Sequence, residues 1–185
     1  MTQSTPNRTI VRADQFTVRS LDHREAGRAV DIVFAGLSPH SRYLRFHSPV
    51  PRLPPAVRER LVDVDGRRRL AMVAEIAGRP IGLVHVLGSG SGTADVAVAV
   101  VDAWQRRGVG THLLTAAGAL AEELGYTQLL GAVLPENRAM LALVRRVAPW
   151  VRPHFDGEVV QLPIPLGAAA CTVTHEDLIA DLVGP

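Results

Sequence analysis

The chain contains no lysine. All 20 of its basic residues are arginine, set against 18 acidic ones, so it offers no lysine ε-amine of its own for acylation. Any lysine it acts on belongs to another molecule. It has one cysteine, Cys171, which excludes an internal disulfide and a Cys-rich zinc site. Cys171 reads as a small buried or tail residue, not a nucleophile. Aromatic residues make up only 4%. A nucleic-acid binder needs basic residues interleaved with aromatics on one face. The one basic run, Arg67-Arg68-Arg69, has no such company and reads as a solvated loop edge. No apolar stretch approaches the roughly 18 residues of a membrane span, and residues 1–15 lack the apolar segment of a signal peptide. These absences predict a soluble, cytoplasmic protein with neither membrane nor nucleic acid as partner.

What is present suffices for one packed domain: 185 residues, 47% of them hydrophobic. Residues 1–14 are polar and unpatterned, as in a flexible arm. The body is expected over 15–166, and 167–185 reads as a tail with a short helix from Thr174, capped by Asp177. Within the body, 16–21 alternates as a strand. Asp22 with Glu25 three residues later forms a capping-box signal for a helix that stops near Gly36 and Pro39. Residues 38–55 hold five of the thirteen prolines and read as a loop with one helical turn, followed by a helix opened by Pro54 and Pro55.

Residues 70–77 and 80–87 form a hairpin about Gly78-Arg79, and 93–101 is a third consecutive strand. A helical stripe then runs through Val109, Leu113, Ala116, Ala117, Leu120 and Leu124, closed by Gly125. Residues 128–134 are strand, 136–147 helix, and Asp156-Gly157 joins two final strands. Grouped strands and helices in this order predict an α+β fold with one mixed sheet.

One junction carries chemistry. After residues 93–101, the turn Gln105-Arg106-Arg107-Gly108-Val109-Gly110 leads directly into an amphipathic helix. A helix start presents unpaired N–H groups and partial positive charge to a phosphate. The two glycines allow close approach to those amides, and Arg106 and Arg107 add charge-assisted contacts. Taken alone, the turn is also ordinary helix-start chemistry.

In context it resembles the acetyl-CoA signature of the GNAT N-acetyltransferases, Q/R-x-x-G-x-G/A after the fourth strand, and the element order is similar too. Residues 18–21 and 37–46 resemble the GNAT domain of bacterial protein-lysine acetyltransferases. The resemblance covers roughly residues 16–165. It implies a three-layer α/β/α fold whose mostly antiparallel sheet has a V-shaped opening between the fourth and fifth strands. It implies acetyl-CoA as cosubstrate, no metal, and an amine acceptor, with protein lysine favoured over aminoglycosides or polyamines. Val98 and Val100 would pair with pantetheine through their backbones, and Gln105, Arg106, Arg107, Gly108, Val109, Gly110 and Thr111 would hold the pyrophosphate. Asn137, besides capping the next helix, would lie near the CoA arm. The oligomeric state, a homodimer included, stays open.

Acyl transfer needs a neutral amine. A lysine-like pKa of about 10.4 leaves roughly one molecule in a thousand neutral near pH 7.4, a deficit of about 4 kcal/mol. A general base typically supplies about 10²- to 10⁴-fold, which matches it. Two positions where the family carries catalytic side chains hold Ala132 and Val144. The third holds Asp95, where the lysine acetyltransferases carry glutamate. Alternation sets Asp95 on one face with Ala97, Ala99 and Val101, so Asp95 is the expected base, acting through a bridging water because it is one methylene shorter. The alternative is a solvated strand end. His85 and Glu75 are the next candidates, His40 and His47 could touch an acceptor, and Tyr43 and Phe46 are expected to pin the proline-rich loop. The vacancies at Ala132 and Val144 keep a second function open, a CoA-binding sensor without turnover.

Overall fold

A computed structural model describes residues 10–12 and 15–167; Cys171 and the helix expected from Thr174 lie outside them. The chain runs β1 (Ile10–Arg12), β2 (Thr17–Ser20), α1 (His23–Ala35), α2 (Pro39–Phe46), α3 (Pro55–Val62), β3 (Arg69–Ile76), β4 (Arg79–Gly88) and β5 (Thr93–Val100). A 3₁₀ turn at Asp102–Trp104 leads on to α4 (Val109–Glu123), β6 (Gln128–Val133), α5 (Arg138–Val147), β7 (His154–Phe155) and β8 (Val160–Pro165). The strands form one sheet in the order β1-β2-β3-β4-β5-β6-β8-β7. Every neighbouring pair is antiparallel except β5 and β6. The α+β class with a mixed, mostly antiparallel sheet is therefore as expected. Ile10–Arg12 falls in the stretch read as an arm, and its pairing with β2 shifts the strand count by one.

Helices cover both faces of the sheet. On one face Val109, Leu113, Ala116 and Ala117 of α4 pack on Leu70, Met72, Val84, Val86 and Val96. On the other, Ala26, Ala29, Val30 and Val33 of α1 pack on Ala71, Val73 and Leu83. Because both faces are covered, residues 70–74 are buried without interruption, the pattern of a central strand.

The 38–55 segment differs from expectation. Pro39 does not merely end α1; it opens α2, a helix of eight residues. Proline suits the first helical position because its missing N–H has no partner there in any case, and Ser38 Oγ caps the helix by accepting from Ser41 N–H at 3.2 Å. Arg42 stacks over the Phe34 ring at 4.3 Å and Phe46 lies 5.9 Å from the same ring, which fixes α2 against α1. Phe46 thus pins the segment as expected.

Leu113 has no exposed surface and joins α4 to the sheet that positions the turn before it. Leu113→Ala is expected to lower stability by about 3 kcal/mol, read from the urea unfolding midpoint with an unchanged slope.

Candidate active site

β5 and β6 separate shortly after they meet. Their register holds for Thr93↔Gln128, Ala94↔Leu129 and Asp95↔Leu130 and then ends, although β5 continues to Val100 and β6 to Val133. Backbone groups of successive strand residues point to alternate edges. The Thr93 carbonyl accepts from Ser89 N–H at 3.0 Å and Val101 N–H donates to the Ile81 carbonyl at 2.9 Å, both on the β4 side. Val98 and Val100 therefore aim their N–H and C=O groups into the opening beyond the last β5–β6 pair, where no strand among the described residues meets them. The expected V-shaped opening is this gap, between β5 and β6.

At its wide end stands the turn. The Gln105 side-chain amide lies 3.1 Å from the Val100 carbonyl and 3.2 Å from both Ser41 Oγ and Asp102 Oδ1. Gln105 thus ties together β5, α2 and the 3₁₀ turn. Arg106 has φ +60° and Gly108 φ +82°; the left-handed region is costly for arginine and free for glycine. Such reversals gather backbone N–H groups into an anion-binding concavity. α4 then starts from Gly108 with no side-chain cap, so its first amides keep their donors for a ligand. Gly110 answers to packing: a Cβ there would lie 2.6 Å from Leu143 Cδ1 of α5.

A cleft of about 1000 Å³ runs along the opening. Asp95, Val98, Val100, Gln105, Arg106, Gly108, Gly110, Thr111 and Asn137 all line it. Two expected residues direct their side chains elsewhere. The Arg107 guanidinium stacks 5.0 Å over Trp104, and Val109 is buried in the α4 core, which leaves its backbone N–H as its only contribution. Asn137 Oδ1 accepts from Met140 N–H at 3.1 Å as the cap of α5.

Asp95 is exposed, at the narrow end of the opening. Its face of β5 is the α1 face, where Ala99 and Val101 pack. His85 stands opposite Ala97 on that face. Its Nε2–H donates to the Leu61 carbonyl at 3.1 Å, since a carbonyl can only accept. Burial first, and the Arg45 charge second, push the His85 pKa down to about 4 against the opposing pull of that hydrogen bond. At neutral pH His85 is an uncharged wall residue.

Glu75 does not reach the cleft. Arg19 Nε and Nη2 both hold it at 3.0 Å, which makes it a structural ion pair between β2 and β3. Val144 is 2% exposed and belongs to the core, and Ala132 lines the cleft with a methyl group. His40 and His47 line the cleft mouth. Tyr43 pins α2 to the far side of it: its hydroxyl donates to Glu136 Oε1 at 2.9 Å. The Glu136 carboxyl is held low by its own N–H and then by Tyr43.

Three residues around the cleft escape a reading of the sequence. Asp102 anchors the start of α2; burial raises its pKa, but hydrogen bonds from Ser38 and Ser41 outweigh this and lower it. Glu136 and Arg45 are the others. The available signal was Ser38-Pro39, a helix start that reveals α2, which carries both Tyr43 and Arg45. Among the described residues no cluster of His, Cys, Asp or Glu could hold a metal, and no helix is long and apolar enough to cross a membrane.

The family described as Acetyltransferase (GNAT) matches residues 39–148. The GNAT domain of Streptomyces lividans PAT is 28% identical with a TM-score of 0.77, covering 86% of this chain and 97% of that one. The cAMP-binding acyltransferase of Mycobacterium smegmatis is 22% identical with a TM-score of 0.56 over 95% of this chain and 52% of its own, so this chain spans about half of it. A GNAT-family acetyltransferase of Streptococcus pneumoniae is 15% identical with a TM-score of 0.62, covering 83% of this chain and 100% of that one. The last two likenesses show the fold alone. No curated protein sequence matches the chain.

His85 titrates near 4 when folded and near 6.5 when unfolded, so between these values the unfolded chain binds the extra proton. Stability is therefore lost as pH falls through that window. From pH 7 to pH 5 the wild type should lose about 2 kcal/mol more than His85→Gln, measured by urea unfolding at each pH. Identical losses would remove His85 from this role.

Proposed function

The chain belongs to the acetyltransferase (GNAT) family, and on that premise we propose that it moves an acetyl group from acetyl-CoA to a primary amine, a lysine of another protein, by direct attack in a ternary complex. The observation that carries this reading is the opening between β5 and β6 with the positive-φ turn at its wide end. An extended arm bearing amides fits the open N–H and C=O groups of Val98 and the N–H of Val100, whose carbonyl Gln105 holds, and a pyrophosphate fits the uncapped start of α4 beside Arg106. Acetyl-CoA supplies the activated acyl group as a thioester.

The residues of the chain do the rest. β5 offers its edge to the pantetheine, and the amides of Gly108, Val109, Gly110 and Thr111 hold charge at the far end. Asp95 accepts the proton of the incoming ammonium through a water, which its exposure permits, and so offsets the deficit of about 4 kcal/mol. With methyl and isopropyl groups at Ala132 and Val144, solvent protonates the departing thiolate. The protein-lysine acceptor is supported by the 28% identity to the PAT domain and by an open cleft rather than a closed pocket. Ala132 and the buried Val144 also favour a second reading, a CoA-binding domain that does not turn over.

Calorimetric titration with CoA and a thiol-release assay on a panel of lysine peptides separate the two. The proposal expects binding together with release above background; binding without release favours the sensor, and no binding sinks both. Asp95→Asn should lower kcat by about 10²-fold or more with acetyl-CoA KM unchanged. An unaltered rate and pH profile would take the base role from Asp95.

A further inference from the structure

α2 carries a cation into the acceptor side of the cleft. Arg45 stands in its last turn and lines the cleft beside Leu61, His85 and Ala99. Its side chain is half-buried, and desolvation lowers its pKa to about 10. It stays protonated at neutral pH, because guanidinium loses its proton only far above that range.

Arg45 takes part in none of the ion pairs among the described residues, where Arg19, Arg58 and Arg69 meet carboxylates. Its one ring contact is the Phe46 face at 5.1 Å. The neighbour that shares its pocket, His85, gives its Nε2–H to Leu61 and holds no negative charge. A partly desolvated cation without a counter-anion is costly to keep, and the cleft that Arg45 lines is the direction from which an anion can come.

Asp95 is also without an ion pair among the described residues and lines the same cleft, on the same face of the sheet. His85 lies opposite Ala97, two positions along β5 from Asp95, so the anionic and cationic sides are separated by roughly 7 Å or more along the strand. The sheet edge and the Val98 and Val100 side chains, which face α4, set Arg45 apart from the turn that holds the pyrophosphate.

We propose that Arg45 is a specificity-determining residue that selects acceptors bearing a carboxylate near the reacting amine, with the ammonium directed to Asp95 and the carboxylate to Arg45. This rests on the acetyl-transfer reading for the place of the amine. The carboxylate has two sources: an acidic side chain flanking the target lysine in a protein, or the α-carboxylate of a free amino acid. Exposed Arg60 on α3 also lines the cleft and adds to the positive field from a more solvated position.

Calorimetry on the full chain loaded with CoA tests this with two pairs of probes. One pair is a blocked peptide with glutamate or glutamine next to its lysine; the other is free lysine and lysinamide. The acidic member of one pair should bind about tenfold or more tightly, as a charge-assisted hydrogen bond predicts, and the pair that responds identifies the source. Arg45→Met should abolish the preference, Arg45→Lys should restore part of it, and Arg60→Gln should leave it in place. Equal binding within both pairs, or a preference that survives Arg45→Met, overturns the proposal; the wild-type comparison decides even if a variant fails to fold. Thiol release measured in parallel keeps the two claims apart. Release without acid preference overturns only the role of Arg45, and acid preference without release overturns only acetyl transfer.

Discussion

Parallel pairing between β5 and β6 stops after three residue pairs, and the functional geometry follows from that interruption. A continuous sheet would use the edge groups of Val98 and Val100 internally. Here the antiparallel partner β4 pairs with β5 from Ala94 to Val100, while β8 pairs with β6 from Gln128 to Val133. Each strand is satisfied on one edge, so the gap persists without the sheet collapsing. Unpaired backbone groups cost about 1–3 kcal/mol each when removed from water, so an edge of this kind is stable only where solvent or a ligand can reach it. The cleft provides that access.

The second requirement is that the two sides of the gap hold their relative positions, and α2 meets it. At its start, Ser38 and Ser41 bind Asp102, and Ser41 also meets Gln105. In its middle, Tyr43 crosses to Glu136 on the β6 side. At its end, Arg45 lines the cleft beside Leu61 and His85. The helix therefore spans from the turn at Gln105 to the α1 side of the cleft, held by the contacts of Arg42 and Phe46 on Phe34 together with exposed polar contacts to Gln105 and Glu136.

Much of this was legible in the sequence because it rests on local signals. The period change after residue 101 and the two glycines placed the turn and α4, and Asp22 with Glu25 placed α1, where Asp22 Oδ1 accepts from Glu25 N–H at 2.9 Å. What escaped depends on partners distant in the chain. Glu75 has the form of a cleft carboxylate until Arg19, 56 residues away, is seen to hold it. Arg107 looks equivalent to Arg106, yet only backbone conformation sends one into the cleft and the other onto Trp104. Proline-rich composition masked α2, because Pro39 signals both a helix end and a helix start, and only its pairing with Ser38 decides between them.

Amide hydrogen exchange at Val98 and Val100, followed residue by residue with and without CoA, bears most directly on the account. The N–H groups of this edge should exchange freely in the unliganded protein. Saturating CoA should slow exchange at Val98 or Val100 by about tenfold or more, while Ala97 and Ala99, already paired with β4, change little. Exchange at these valines that stays unaltered while CoA is bound would contradict the claim that the opened edge of β5 is the cofactor's seat.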